Sequence, residues 1–331
     1  MHTQQRLAVE IAGLGSYLPE RILTNSDLEK MVDTSDEWIF PRTGIRERHL
    51  LADDEATSDM ATAAARTALE SAGTAAADLD AIVVATCTPD YFFPATGCLV
   101  QAALGAENAM SFDLEAACSG FVFALTWAAG VIASRLAHNV LVIGAEALSR
   151  FTDYTDRRSC ILFGDAAGAA VLRPAQNGGE FIYAELGSDG SRPNVLITPA
   201  GGARAPASHD TVERRDHYMK IQGREVFKAA VNKLTELLAT LPERTGVSLD
   251  EVKMVIPHQS NVRIINSAFQ RAGVDLSKAY MNIDRVGNTS SASIPVAMTE
   301  AVERGALERG DLVLFLAFGG GLTWGSVLIR Y

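Results

Sequence analysis

Nowhere does the sequence approach the about 20 consecutive apolar residues that a membrane-crossing helix needs. The opening stretch Met1-His-Thr-Gln-Gln-Arg6 lacks the charged-then-apolar layout of a secretory signal, so a cytoplasmic location is expected. Cysteine is scarce. The four thiols, Cys87, Cys98, Cys118 and Cys160, include no C-x-x-C pair, which argues against a disulfide framework or a zinc knuckle. The six histidines, at positions 2, 49, 138, 209, 217 and 258, form no H-x-x-x-H or H-E-x-x-H pattern, and no metal is expected. Positive charge is also in deficit: a net charge of −11 argues against a nucleic-acid surface, because phosphate binding needs a positive footprint. What is present is a globular composition, 48% apolar and 21% charged. At 331 residues it exceeds one ordinary core and fits two domain-sized units or one large layered unit.

The same order of patterns occurs twice. Met60-Ala-Thr-Ala-Ala-Ala-Arg-Thr-Ala-Leu69 followed by Leu79-Asp-Ala-Ile-Val-Val84 is a helix pattern feeding a β-branched strand, and residues 226–234 followed by Val252-Lys-Met-Val-Ile256 repeat it. Residues 119–136 with Val140-Leu-Val-Ile143 are answered by residues 291–304 with Leu312-Val-Leu-Phe315, at an offset of about 172 that pairs Cys118 with Ser290. Further on the offset shortens, so the first half carries an extra loop of roughly fifteen residues between Gly144 and Cys160, holding Arg150, Arg157 and Arg158. Near-continuous apolar strands imply sheets covered on both faces, and the apolar-all-round stretch 119–136 reads as a helix buried between them. The expectation is an α/β fold of two halves, 1–175 and 176–331, with a site at their seam.

Three polar residues each follow an apolar run. Cys118 lies in Ser111-Phe-Asp-Leu-Glu-Ala-Ala-Cys-Ser-Gly-Phe121, where a strand pattern gives way to the apolar helix. Unpaired N–H groups and the helix dipole there favour a thiolate, although cysteine is also among the residue types most often buried as packing. His258, in Ile256-Pro-His-Gln-Ser-Asn261, stands at a strand's exit, and Asn288 follows Gly287 in a turn. Gly319-Gly-Gly321 lets backbone approach a ligand and present N–H groups to an oxyanion, or marks a bulge. Gly13-Leu-Gly-Ser-Tyr-Leu18 begins like a dinucleotide loop but lacks the third Gly and runs into Pro19. Cys, His, Asn and a triple Gly suggest thioester chemistry, in which a thiol carries an acyl group and neutral donors hold the oxyanion. Cys, His and Asn in that order also describe a papain-like protease, against which stand the absent Cys-Gly-Ser-Cys-Trp type signature and the duplicated sheet.

Over essentially its whole length the chain resembles β-ketoacyl-acyl carrier protein synthase III, the thiolase-fold family that begins bacterial fatty acid synthesis. The resemblance rests on Gly13-Leu-Gly-Ser-Tyr-Leu-Pro19, Asp33-Thr-Ser-Asp-Glu-Trp-Ile39, Arg42-Thr-Gly-Ile-Arg-Glu-Arg-His49, Ala116-Ala-Cys-Ser-Gly-Phe121, Phe163-Gly-Asp165, Pro257-His-Gln-Ser-Asn261, Gly287-Asn-Thr-Ser290 and Ala317-Phe-Gly-Gly-Gly321. It implies a duplicated five-layer αβαβα fold with two mixed sheets around buried helices. The implied reaction is ping-pong condensation of an acyl-coenzyme A primer with malonyl-acyl carrier protein, with loss of carbon dioxide and no metal or organic cofactor beyond the coenzyme A thioester. Cys118 would carry the acyl group, His258 and Asn288 would hold the malonyl thioester carbonyl, and the amides of Cys118 and Gly320 would form the oxyanion hole. Asn288 replaces the second His of elongating synthases.

For coenzyme A the resemblance points to Trp38, Arg42 and Arg157, the last in the extra loop. For the carrier protein it points to Gln259, Asn261 and Arg263. Lys220, Arg224 and Lys228, spaced by four, would share one helical face if the helix begins early enough, and Arg263 and Arg271 a second. Gln270 departs from relatives that carry a basic residue there. Family members are homodimers in which an aromatic near Phe93 reaches the partner's acyl pocket, and Tyr91-Phe-Phe93 is unusually aromatic for that place. Two other readings stay open at this level: a secondary-metabolism enzyme of the same fold with a different acceptor, and a Cys-His-Asn hydrolase.

Overall fold

The computed structural model describes residues 2–3, 6–176 and 178–331. Of the opening segment read for a secretory signal, Met1, Gln4 and Gln5 lie outside the described residues.

The chain builds two five-stranded sheets whose central strands are buried on both faces. Ala81–Ala85, Val140–Glu146 and Leu312–Gly319 are buried at every position, which is why their sequences show apolar runs rather than alternation. The first sheet runs in the order Val9–Tyr17, Ala166–Pro174, Val140–Glu146, Ala81–Ala85, Met110–Leu114. Ala81–Ala85 is parallel to both neighbours, and the remaining pairs are antiparallel. The second sheet repeats this with His2–Thr3, Glu180–Ser188, Thr323–Arg330, Leu312–Gly319 and Met254–Pro257, only the last pair being parallel.

Helices Gly120–Ala133 and Ser293–Glu303 lie between the sheets, where Phe121, Leu125, Ile294 and Met298 pack against Val83 and Val142 of one sheet and Phe315 and Val327 of the other. Thr57–Ala72 and Thr96–Leu104 cover the outer face of the first sheet, and Gly223–Thr245 and Val262–Ala272 that of the second. These are the five layers of the thiolase fold. Gly13 and Gly15 belong to the strand Val9–Tyr17. A Cβ on either would come within 2.4 Å of helix Thr57–Ala72 backbone, so these glycines serve strand-to-helix contact and no nucleotide.

The repeat sets the site's geometry and shifts the sequence pairing by one residue. Ala117 and Ser290 both take a left-handed backbone, with φ of 47° and 49°, at the turn into the two central helices. Cys118 therefore corresponds to Ser291, not to Ser290. Residues 147–165 join Val140–Glu146 to Ala166–Pro174, whereas residues 320–322 join the counterpart strands. That insertion is anchored by buried polar groups. The wholly buried Arg48 donates to the carbonyl of Ile161 at 2.7 Å while its other nitrogen donates to Leu23 O and Asn25 Oδ1. Asp165, from the Phe163-Gly-Asp165 motif, accepts from Ser149 N at 2.8 Å and Leu51 N at 2.9 Å. Among the described residues no helix is long and apolar enough to cross a membrane, and no group of three or more His, Cys, Asp or Glu could hold a metal ion.

Candidate active site

Cys118 sits in the turn Ala117–Ser119, between the strand Met110–Leu114 and the buried helix Gly120–Ala133. The opposite half closes on it so tightly that a Cβ at Gly319 would lie 2.7 Å from the Cys118 nitrogen. Around the sulfur are the Ser290 hydroxyl, which donates at 3.4 Å, and the backbone N–H groups of Cys118 and Gly320. The helix start does not make this thiol acidic, contrary to the reading from sequence. Burial pushes its pKa up to about 11, and the nearby Glu146 adds to the rise, against the pull of the Ser290 hydroxyl and the two amides. The resting group is a thiol.

His258 follows the strand Met254–Pro257, and its backbone N–H continues the ladder by donating to Leu316 O at 2.7 Å. Its imidazole is buried, which lowers its pKa to about 3 and keeps it neutral. Nδ1 lies 2.7 Å from the hydroxyl of Ser293, leaving Nε2 for the cavity. Asn288 is held from both sides: its N–H donates to Leu162 O at 2.9 Å, and its carbonyl accepts from Gly164 N at 3.0 Å. Its Oδ1 accepts from Ser290 N at 3.0 Å, which turns the amide so that Nδ2 can donate to a ligand. One cavity of about 140 Å³ is lined by Cys118, His258 and Asn288 together with Gly319, Gly320 and Asn261. A second, of about 520 Å³, meets it at Cys118 and Gly320 and extends past Cys87, Leu148, Phe151 and Met219. The thiol thus stands where two chambers join, with two neutral hydrogen-bond donors in one of them.

The residues expected around coenzyme A also come together. The guanidinium groups of Arg42 and Arg157 lie 4.7 Å and 5.1 Å from the centre of the Trp38 ring. Arg157 reaches there from the insertion and donates to Asp33 Oδ2 at 2.9 Å.

The residues expected to meet a carrier protein divide. Arg224 and Lys228 are exposed on helix Gly223–Thr245, and Arg263 is exposed on the adjacent helix with its guanidinium 5.9 Å from the Phe227 ring. Arg271 is exposed and donates to Asn232 Oδ1 at 3.0 Å. Lys220 is not on their face, because the helix begins only at Gly223; it lies in the short strand Lys220–Ile221. Gln259 is a correction too. It is wholly buried, donating to Pro257 O at 2.7 Å and Tyr280 O at 3.1 Å, and so offers nothing to a docking protein. Asn261 caps helix Val262–Ala272 through Arg263 N at 2.8 Å and donates to Arg42 O, tying the cavity wall to the Trp38 segment. Phe93 is 86% exposed and lines neither cavity of its own chain.

Sequence reasoning missed Ser293, the Ser290 hydroxyl and the buried Glu146. The polar run Ser290-Ser-Ala-Ser293 at the start of an apolar helix could have pointed to the serines. Nothing in Val140-Leu-Val-Ile-Gly-Ala-Glu146 marks its last residue as facing the site rather than solvent.

Residues 112–190 match the family described as 3-oxoacyl-[acyl-carrier-protein] synthase III, and residues 243–331 match its C-terminal region. A β-ketoacyl-[acyl-carrier-protein] synthase III of Caldanaerobacter subterraneus is 49% identical over 327 residues, 99% of each chain. The enzyme of that name from Symbiobacterium thermophilum is 51% identical over 98% of each. The crystal structure of 3-oxoacyl-[acyl-carrier-protein] synthase III from Aquifex aeolicus superimposes with a TM-score of 0.90 at 46% identity, covering 98% of this chain and 100% of that one.

Proposed function

The chain belongs to the 3-oxoacyl-[acyl-carrier-protein] synthase III family, and from that premise we propose how its residues carry the family's reaction. It is an acyltransferase that initiates fatty acid synthesis, condensing an acyl-coenzyme A primer with malonyl-acyl carrier protein to give a 3-oxoacyl-acyl carrier protein.

In the first half-reaction the Cys118 sulfur attacks the primer's thioester carbonyl. The oxyanion that forms is met by the amides of Cys118 and Gly320, and coenzyme A leaves with the thiol proton, so that the acyl group stays on sulfur. In the second, the malonyl thioester carbonyl takes hydrogen bonds from His258 Nε2 and Asn288 Nδ2. The carboxylate departs as carbon dioxide and its electron pair moves onto that oxygen as an enolate. The enolate carbon then attacks the acyl-cysteine carbonyl, and Cys118 leaves as thiolate and takes up a proton from solvent water. The neutral imidazole, with Nδ1 accepting from the Ser293 hydroxyl, carries its one proton on Nε2 and donates from there. No metal or organic cofactor enters this scheme.

Trp38, Arg42 and Arg157 hold the coenzyme A nucleotide at the tunnel mouth, while the chamber past Cys87 and Phe151 receives the acyl chain. Arg224, Lys228, Arg263 and Arg271 face the acidic carrier protein. Two copies pair through the exposed Tyr91, Phe92 and Phe93 and the sheet-edge strand Met110–Leu114, which brings Phe93 to the partner's acyl chamber. The halves 1–175 and 176–331 contribute the thiol and the carbonyl-binding pair respectively. Four free cysteines suit the reducing cytoplasm.

The observation that carries the reading is the shared cavity of Cys118, His258 and Asn288. Intact-mass analysis after exposure to a panel of acyl-coenzyme A thioesters should show one acyl adduct on Cys118, discharged by malonyl-acyl carrier protein into a 3-oxoacyl product. An adduct discharged only by water would mean a hydrolase instead.

A further inference from the structure

Ser290 touches the whole catalytic set through three different atoms. Its N–H donates to Asn288 Oδ1 at 3.0 Å, and its carbonyl lies 2.8 Å from the hydroxyl of Ser293, the partner of His258. Its hydroxyl donates to Cys118 Sγ at 3.4 Å. The first two contacts are backbone contacts that any residue could make. The third needs the side chain. The fold itself does not ask for a hydroxyl here: the corresponding residue of the first half, in the same left-handed conformation, is Ala117. An alanine turns that corner, so the serine oxygen answers to something else, and it is 2% exposed with the reacting sulfur beside it.

The competing acceptor is Glu146, whose buried carboxyl lies within reach of the Ser290 hydroxyl. Its Oε1 accepts from the Ser291 hydroxyl at 2.9 Å, and its Oε2 from Thr88 Oγ1 at 2.8 Å and Cys87 N at 3.1 Å. Burial raises its pKa, against the pull of these hydrogen bonds and of the Ser290 hydroxyl. Both carboxyl oxygens are already supplied with donors, so the Ser290 proton is free to point at sulfur, 3.4 Å away.

We propose that Ser290 is a catalytic residue of the acyl-transfer half-reaction: its hydroxyl donates to Cys118 Sγ and stabilises the negative charge that gathers on sulfur as the thiol proton leaves and as the acyl group is discharged. This rests on Cys118 being the acyl carrier. The other titratable groups around the sulfur are Glu146 from strand Val140–Glu146, Glu115 beside the turn, Cys87 beyond strand Ala81–Ala85, and His258 beyond strand Met254–Pro257.

The test is the pH profile of Cys118 alkylation by iodoacetamide, followed by peptide mass spectrometry so that the other thiols do not interfere. This readout does not depend on which reaction the enzyme performs, whereas failure of Cys118 to take any acyl group would sink the functional reading instead. Ser290→Ala should move the profile to higher pH and slow alkylation below its midpoint by about tenfold, as loss of a hydrogen bond to a charged atom does. Primer transfer should slow in proportion, and decarboxylation of malonyl-acyl carrier protein far less, because the backbone contacts to Asn288 and Ser293 remain. Ser290→Gly, which eases the left-handed backbone, should match the alanine variant. An unshifted profile, equal losses in both half-reactions, or recovery in the glycine variant would each overturn the proposal.

Discussion

The hydroxyl of Ser293 lies 2.7 Å from Nδ1 of His258 and 2.8 Å from the carbonyl of Ser290. It has one proton for the two. If His258 is to donate from Nε2 to a thioester carbonyl, Nδ1 must be the acceptor, and Ser293 must give its proton to the imidazole. Ser293→Ala should therefore release the tautomer and slow malonyl decarboxylation by about tenfold, the scale of one hydrogen bond, with a much smaller effect on Cys118 acylation. Separate assays of the two half-reactions check this; an equal loss in both would point to a general packing defect.

The depressed pKa of His258 has a consequence for pH dependence. A group with a folded value of about 3 stays neutral across the working range, so decarboxylation should show no histidine limb between about pH 5 and 8. Stability behaves differently. The unfolded chain binds a proton at this residue near the ordinary value of 6.5, before the folded chain does. Stability should thus fall as pH drops from that value toward 3, by up to roughly 1.4 kcal/mol per pH unit. Urea unfolding across this window should show a shallower slope in His258→Ala.

His258→Ala and Asn288→Ala each remove a donor that the proposed mechanism directs at the enolate oxygen. Loss of one such donor costs about 10²–10³ in rate, and that loss should fall on decarboxylation while Cys118 still takes up an acyl group. Cys118→Ala should behave in the opposite way. Loss of acylation with decarboxylation intact in the His258 variant would reverse the two roles.

Gly319→Ala places a methyl carbon 2.7 Å from the Cys118 nitrogen, in a turn whose backbone cannot step aside without moving the sulfur. Overpacking of this kind costs about 1–3 kcal/mol, so a fall in melting temperature should accompany a loss of acylation. A variant that acylated at the parental rate would show that the two halves meet less tightly than the structure has them.

Trp38→Ala or Arg157→Ala takes apart the stack of Arg42 and Arg157 on the Trp38 ring, the proposed coenzyme A site. A malonyl group delivered by a carrier protein brings no adenine, so KM should rise for acyl-coenzyme A and stay close to the parental value for malonyl-acyl carrier protein. Equal increases for both substrates would locate the defect in the shared tunnel.

How much of this was legible beforehand can be judged residue by residue. The buried helix Gly120–Ala133 was readable because an apolar-all-round pattern has no solvent face to serve, and the duplication because each half must bury the same faces against the other. Cys118, His258 and Asn288 were readable because each breaks an apolar run at an element's end. Gln259 and Lys220 misled for a related reason. A short polar motif does not show which of its side chains turns inward, and a spacing of four means one face only where the helix has already begun.

The order of residues alone determined the two covered sheets, the polar groups at the ends of their strands and the insertion that carries Arg157, because these follow from hydrophobic periodicity and length. The protonation of the site was decided only when the halves closed on each other. Cys118 owes its high pKa to burial, and His258 its neutrality to the same cause. The Ser290 hydroxyl reaches the sulfur across 172 positions of chain. Desolvation and contact between distant segments are properties of the packed interior, and neighbours along a chain do not encode them.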